Sequence, residues 1–299
     1  MRGCAPVVEP DLRAKHAIMR NDAFMFFRGT YYQWVQQWPE VCAELCRTPT
    51  VLAVDDLHVG SYGTWRDAEG RLVWAVDDFD DSYPLPYTND LVRLATSVKI
   101  AMDRQVFGIK LHDGCDAILK GYRRSLVRGG RPFVLAEHFE HFEKLGLGAI
   151  KPANNFWEKL EACRTVRHGV PRDASRALRR SLPSVSMEYR IVRRAAGMGS
   201  RGQRRFVAIA DREGGRIARE AKAMVPSASQ WLNRGRGCRQ SYCDEVLKVA
   251  VRSHDPFQRI SGRVAHPPAR SRFEPNRHHG SAERAGRGKI TARHGGGGR

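Results

Sequence analysis

Two clusters of carboxylates stand early in the chain, each behind an apolar run. The first is DDLHVGSYG at 55–63, following TVLAVD at 50–55, which has the short β-branched pattern of a buried strand. Side chains at the end of such a strand are fixed by the core yet reach solvent, a suitable place for a catalytic carboxylate. Asp55, Asp56 and His58 are compatible with orienting a hydroxyl, binding a metal or closing a polar turn. The second cluster is VDDFDDSYP at 76–84, with four carboxylates in five positions. Like charges so crowded resist ionisation unless a cation compensates them, which points to a hard divalent ion such as Mg²⁺; the alternative is a solvated acidic turn. Alternation across the strand end sends Asp78 and Asp80 to one side.

A third cluster, GMGSRG at 197–202, lies between strand-like runs, and Lys222 follows 20 residues after Gly202. Glycines let backbone N–H groups approach phosphates, and a lysine on an adjoining strand adds a point charge. Gly197, Gly199, Ser200, Gly202 and Lys222 are therefore candidate nucleotide-binding residues. Glu245, in a helix expected from about 240 to 252, is a candidate partner for Lys222, with Glu220 nearer in sequence. A strand follows this glycine run where a dinucleotide-binding unit has a helix, and no GK[ST] occurs for a P-loop. Strand, glycine loop, strand, turn and strand with lysine is the arrangement of a kinase nucleotide lobe. Arg28 in FFRGT is compatible with contacting a phosphate or pairing with a carboxylate.

These clusters need elements to position them. Residues 22–46 carry apolar and aromatic side chains at helical spacing, including Phe26, Phe27, Tyr31, Trp34 and Val35. SYGTW and RLVWAV flank the turn RDAEG as a β-hairpin. TND at 88–90 reads as the N-cap of a helix whose apolar face is Leu91, Leu94, Ala95, Val98 and Met102. Further helices are expected near 113–128, 135–145, 155–166 and 173–182. After Pro183 come three strand-like runs with glycine-bearing turns. From Arg263 periodicity disappears and a disordered basic Gly/Arg/His tail is expected. The implied division is 1–183, mainly helical with a hairpin and the catalytic loop; 184–262, β-rich and nucleotide-binding; and 263–299, the tail.

The chain has 299 residues and a net charge of +19, enough length for a sizeable core. The first 160 residues hold 20 Lys+Arg against 21 Asp+Glu, and the rest hold 31 against 11. Of the 51 basic residues 41 are arginine, scattered rather than set on one aromatic-interleaved face, so nucleic acid is not the expected partner. The seven cysteines are sparse and lack metal-binding spacing, which suits free thiols in a reducing cytoplasm. No apolar run has the length of a signal peptide or a membrane span. His138 and His141 lie short of the HExxH spacing and read as packing or surface residues.

The wording FMFFRGTYYQW, DLHVGSYGTW, DDFDDSYPLPYTNDLVRLATS, GMGSRGQRRFVAIAD, REAKAMVPSA and VRSHDPF resembles the bacterial family catalogued as domain of unknown function 2252, from about Lys15 to about Gly262. The resemblance implies an α+β, protein-kinase-like two-lobe fold that is circularly permuted, with the catalytic-loop motifs ahead of the glycine loop, as in a rearranged aminoglycoside-phosphotransferase-like kinase. It implies ATP and Mg²⁺ as cofactors and an acceptor substrate of unspecified class. The implied roles are Asp56 with His58 in catalysis, Asp78, Asp80 and Ser61 at the metal, and the glycine loop with Lys222 and Glu245 at the nucleotide. The chain departs from the family's wording in four places. Asp55 stands where glycine is usual, Ser61 and Tyr62 replace Asn-Phe, Asp77 stands where asparagine is common, and the stretch beyond Gly262 differs, so the C-terminal part of the fold is expected to be missing or replaced. A non-catalytic nucleotide-binding protein is the alternative.

Overall fold

The computed structural model describes residues 7–104, 108–138, 153–233, 242–256, 258 and 272–276. It opens with helix α1 (Glu9–Asn21), a short α2 (Ala23–Gly29) and α3 (Tyr31–Val41). The helix expected over 22–46 is thus divided at Thr30. Asp22 caps α2 by accepting from the Phe24 and Met25 N–H groups at 2.9 and 3.0 Å, and α3 buries Tyr31, Val35 and Trp38 on one face.

Strand β1 (Thr50–Ala53) delivers the first acidic cluster. The hairpin of β2 (Tyr62–Arg66) and β3 (Leu72–Val76) delivers the second. Its register sets Thr64 opposite Trp74 and Arg66 opposite Leu72, so Arg66 of the run RDAEG belongs to the strand rather than to the turn. Strand β4 (Tyr83–Pro86) returns antiparallel to β1, with Leu52 opposite Pro84. Helix α4 (Tyr87–Asp103) starts at once, so Thr88, Asn89 and Asp90 sit in its first turn rather than capping it. Helix α5 (Leu111–Val127), the two-residue strand β5 (Phe133–Val134) against β3, and α6 (Leu135–His138) complete the described first part.

Helices α7 (Ala153–Glu161) and α8 (Arg172–Ser181) precede a second sheet of β6 (Arg190–Arg193), β7 (Arg205–Arg212) and β8 (Gly215–Met224). The β7–β8 hairpin turns on Glu213 and Gly214, both at positive φ, the geometry that matches strand twist in a two-residue loop. Helix α8 lays Ala174, Ala177 and Leu178 on Phe206, Ala208 and Ala221. Phe156 and Leu160 of α7 pack with Val192, Val207 and Ile209. A division at 183 therefore separates two helices from the sheet on which they pack.

Helices α9 (Ala228–Leu232) and α10 (Tyr242–Val249) follow, and strand β9 (Arg272–Asn276) pairs with the free edge of β8, Lys222 opposite Glu274. Five residues of the stretch expected as a disordered tail are thus strand, because the edge of β8 offers unpaired backbone groups to an extended segment; the rest of that stretch lies outside the described residues. So does His141. The molecule is mixed α+β with small antiparallel sheets. Among the described residues no helix is long and apolar enough to cross a membrane, and the described cysteines, Cys42, Cys46, Cys115, Cys163 and Cys243, are free thiols.

Candidate functional site

The three clusters line one cavity of 210 Å³, with Asp56, Asp78, Asp80, Gly197, Gly199, Ser200 and Lys222 all on its wall. Asp77, Asp81, Arg28 and Arg205 line it too, and Val54, Trp65, Met198, Met224 and Pro226 make its apolar part.

At the exit of β1 the chain turns sharply. Asp55 has φ of 78°, a left-handed conformation that glycine adopts freely and aspartate at a cost. The turn is held by Asp90 of α4, whose carboxylate accepts from the Val54 and Asp55 N–H groups at 2.8 and 2.9 Å. The Asp55 side chain is fully buried, accepts from Ser229 Oγ at 2.7 Å, and has its pKa pushed well above the usual value by burial. A folded-state pKa above the unfolded one gives stability that is present at low pH and lost as pH rises through the folded value. Asp55→Asn keeps the shape, tolerates the left-handed turn and carries no charge. It is expected to melt close to the wild type at pH 5 and several degrees higher at pH 8, checked by thermal unfolding across that range.

Asp56 reaches the cavity. Burial raises its pKa to about 7 against the pull of Arg93. Arg93 of α4 is buried, donates from Nε to Asp56 Oδ1 at 2.9 Å and from Nη2 to the Phe27 carbonyl at 3.2 Å, and has Nη2 against the same carboxylate. Its guanidinium lies over the rings of Phe27, Tyr31 and Trp34, 4.0, 4.4 and 5.1 Å from their centres. The aromatic run of α2 and α3 is thus a cage for one arginine, and Arg93 is a functional residue the sequence reading missed. Its trace was there, since three aromatics spaced by three and four residues line one helical face suited to a cation.

His58 and Ser61 do not line the cavity. Arg28 Nε donates to His58 Nε2 at 2.9 Å, so the imidazole is neutral with its proton on Nδ1, 3.1 Å from Ser61 Oγ. Burial first, and Arg28 second, lower the pKa of His58 to about 3. Ser61 Oγ also accepts from the His58 N–H at 3.1 Å and donates to the Asp56 carbonyl at 3.2 Å. Its hydroxyl is turned into the loop that holds Asp56 rather than toward a metal. His58, expected in catalysis, is likewise a strut between Arg28 and that loop.

In the second cluster, Asp80 pairs with Lys222, and Asp81 accepts from the Ala228 N–H at 3.0 Å, with its pKa raised to about 6 by burial. For Asp78 burial acts upward, but Lys222 and then Arg28 outweigh it and hold the carboxyl below its ordinary value; it is ionised. A Cβ on Gly63 would collide with the Asp77 carboxylate. Among the described residues no three His, Cys, Asp or Glu side chains are grouped to hold a metal ion. Mg²⁺ characteristically uses one or two carboxylates and completes its shell with water and ligand phosphate, and the hard oxygens of Asp78 and Asp80 on an open wall fit that mode.

The glycine loop bridges β6 and β7, with Gly197 and Gly202 at φ of 74° and 101°. Arg205 Nη2 donates to Ser200 Oγ at 2.8 Å, and its other arm pairs with buried Glu220. Arg205 stands directly opposite Lys222 in the register. Two cations thus stand side by side beside the glycine loop, each already paired with a carboxylate, Arg205 with Glu220 and Lys222 with Asp80. Glu245 is exposed on α10 and absent from the wall; the ion pair of Lys222 in the cavity is with Asp80, which the β3 exit carries beneath β8.

Over residues 8–167 the chain matches the family described as "Uncharacterized protein conserved in bacteria (DUF2252)". No curated protein and no solved structure matches it. The matched span holds Asp56, Arg93 and the acidic run and ends before the glycine loop and Lys222. Covering more than half of the sequence, that match makes this chain a member of the DUF2252 family.

Proposed function

We propose that the cavity binds ATP with Mg²⁺ and transfers its terminal phosphoryl group to an acceptor hydroxyl, in a permuted kinase-like arrangement. The observation that carries this reading is the convergence of three separated clusters, Asp56, Asp78 with Asp80, and the glycine loop with Lys222, on one cavity wall. Lys222 and Arg205 hold phosphate charge beneath the glycine loop. Asp56, with a pKa of about 7, is matched to accept a proton near neutral pH. The acceptor O–H bond breaks with its proton passing to Asp56, the new O–P bond forms, and the bond from phosphorus to the departing ADP oxygen breaks. Arg93 keeps Asp56 oriented. When bound, Mg²⁺ neutralises the phosphate charge, and Asp78 and Asp80 would hold it.

A second reading, nucleotide binding without transfer, is favoured by the engagement of Asp80 with Lys222 and of Asp56 with Arg93. Incubation with γ-labelled ATP and Mg²⁺ separates the two. Release or transfer of label that Asp78→Ala abolishes supports the enzyme; bound ATP that stays intact selects the second reading; full turnover by Asp78→Ala removes the metal role.

A further inference from the structure

The sheet of β2, β3 and β5 carries a second cavity on the face turned away from the first. Residues paired across its strands share a face. Trp65 and Val73 join Val134 in the core, and Trp65 also lines the first cavity. Tyr62, Trp74 and Phe133 lie on the other side. Tyr62 and Trp74 stack with ring centres 4.7 Å apart and 14° between their planes, and Phe133 stands at 81° to Trp74, 5.6 Å away. Three rings, one from each strand, thus form an aromatic floor in a cavity of 490 Å³, a size that suits a small molecule.

The end of α5 and Val251 supply more of the wall. Gly129 and Gly130, at φ of 70° and 74°, close the helix by donating to the Leu126 and Ser125 carbonyls at 3.1 and 2.8 Å. Those carbonyls are thereby satisfied, and the turn leaves space beside it: a Cβ on Gly129 would meet nothing within 4 Å. Phe133, Leu126 and Val251 are 40%, 63% and 59% exposed, and apolar groups gathered in the open on one cavity mark a binding surface.

Charge selects the occupant. Among the described residues of the wall only Arg131 is charged, and it makes no hydrogen bond or ion pair with another described residue. Between Asp116 and Glu137 the chain holds Lys120, Arg123, Arg124, Arg128 and Arg131 and no carboxylate, which outweighs the roughly half negative charge of the α5 C-terminus. We propose that this cavity binds a small aromatic anion, its ring on the floor of Tyr62, Trp74 and Phe133 and its acid group at Arg131. The site is separate from the first cavity and does not rest on the phosphotransferase reading.

Calorimetric titration of the full chain with naphthoate, naphthylmethanol and naphthylmethylammonium tests this, since the three share a ring system and differ in charge. Naphthoate is expected to bind about 10-fold more tightly than the alcohol, the worth of one charged contact, and the ammonium most weakly. Arg131→Gln, at an exposed position, should melt like the wild type and bind naphthoate and the alcohol alike. Trp74→Phe keeps a ring and should hold naphthoate within a few-fold of wild type, whereas Trp74→Ala should weaken it about 10-fold or more. Lys222→Ala, in the first cavity, should leave it unchanged. Naphthoate binding that Lys222→Ala abolishes and the Trp74 variants spare would belong to the first cavity and overturn the proposal. Equal affinity for the three compounds, or no binding of any, would overturn it too. So would a melting temperature that rises with protein concentration in the wild type and not in Leu126→Arg, which would assign the apolar surface to a second copy of the chain.

Discussion

Arg93→Ala is expected to lower stability by about 3–5 kcal/mol, the cost of breaking a buried charge pair by removing one partner. Arg93 is fully buried, so three things go together. Asp56 loses its counter-charge, the Phe27 carbonyl loses a donor, and the cage of Phe27, Tyr31 and Trp34 loses the group it surrounds. At about 2–4 °C per kcal/mol for a chain of this size the melting temperature falls by roughly ten degrees. Arg93→Lys restores a charge but neither the stacked plane nor the two-armed contact, and is expected in between. The double variant Arg93→Ala with Asp56→Asn should be less destabilised than the sum of the singles, since no unpaired carboxylate remains; additivity would show that the pair is not coupled. Urea unfolding of the four proteins checks this.

If the cavity transfers phosphate as proposed, Asp56→Asn is expected to reduce that transfer by about 10²–10⁴-fold, the usual contribution of a positioned base, while ATP binding stays within a few-fold of wild type. The base works only when deprotonated. With its pKa raised to about 7 by burial, the wild-type rate should climb as pH rises from 5.5 and level off above about 7, and the residual rate of the Asn variant should lack that limb. The same shift acts on stability in the opposite sense: the contribution of Asp56 is present below the unfolded value and is lost as pH rises through the folded one. An activity gain that coincides with a stability loss is a signature that a passive surface carboxylate would not give. An Asn variant with full activity would return Asp56 to a structural role.

The hairpin β2–β3 and the succession β6, β7 and β8 were legible because alternation and turn residues are local signals. The glycine loop and Lys222 were legible for the same reason, and they share the cavity with the acidic clusters. Helix α1 was not. EPDLRAKHAIMRN has a weak apolar stripe, and what holds it is contact with Gly202, Gly199 and Arg193, far along the chain. Strand β4 was hidden by Pro84 and Pro86, which argue against a strand wherever the missing N–H would be needed; here it pairs with β1 alone. Arg93 and Asp90 look in sequence like the polar face of α4. Only the tertiary fold shows Arg93 turned into an aromatic cage and Asp90 onto the exit of β1. Ser61 and His58, expected at the metal and in catalysis, are engaged within their own loop and with Arg28, because a loop so short must satisfy its own polar groups before offering any to a ligand.

Thermal unfolding of the purified chain with and without Mg²⁺ and ATP, beside Lys222→Ala and Asp78→Ala, tests the nucleotide site directly, since a ligand that binds only the folded state must raise its apparent stability. A shift that requires ATP and Mg²⁺ together and disappears in both variants is the predicted result. A cooperative melt that neither ligand moves, or a shift that survives both substitutions, would contradict a nucleotide site built from Lys222 and Asp78.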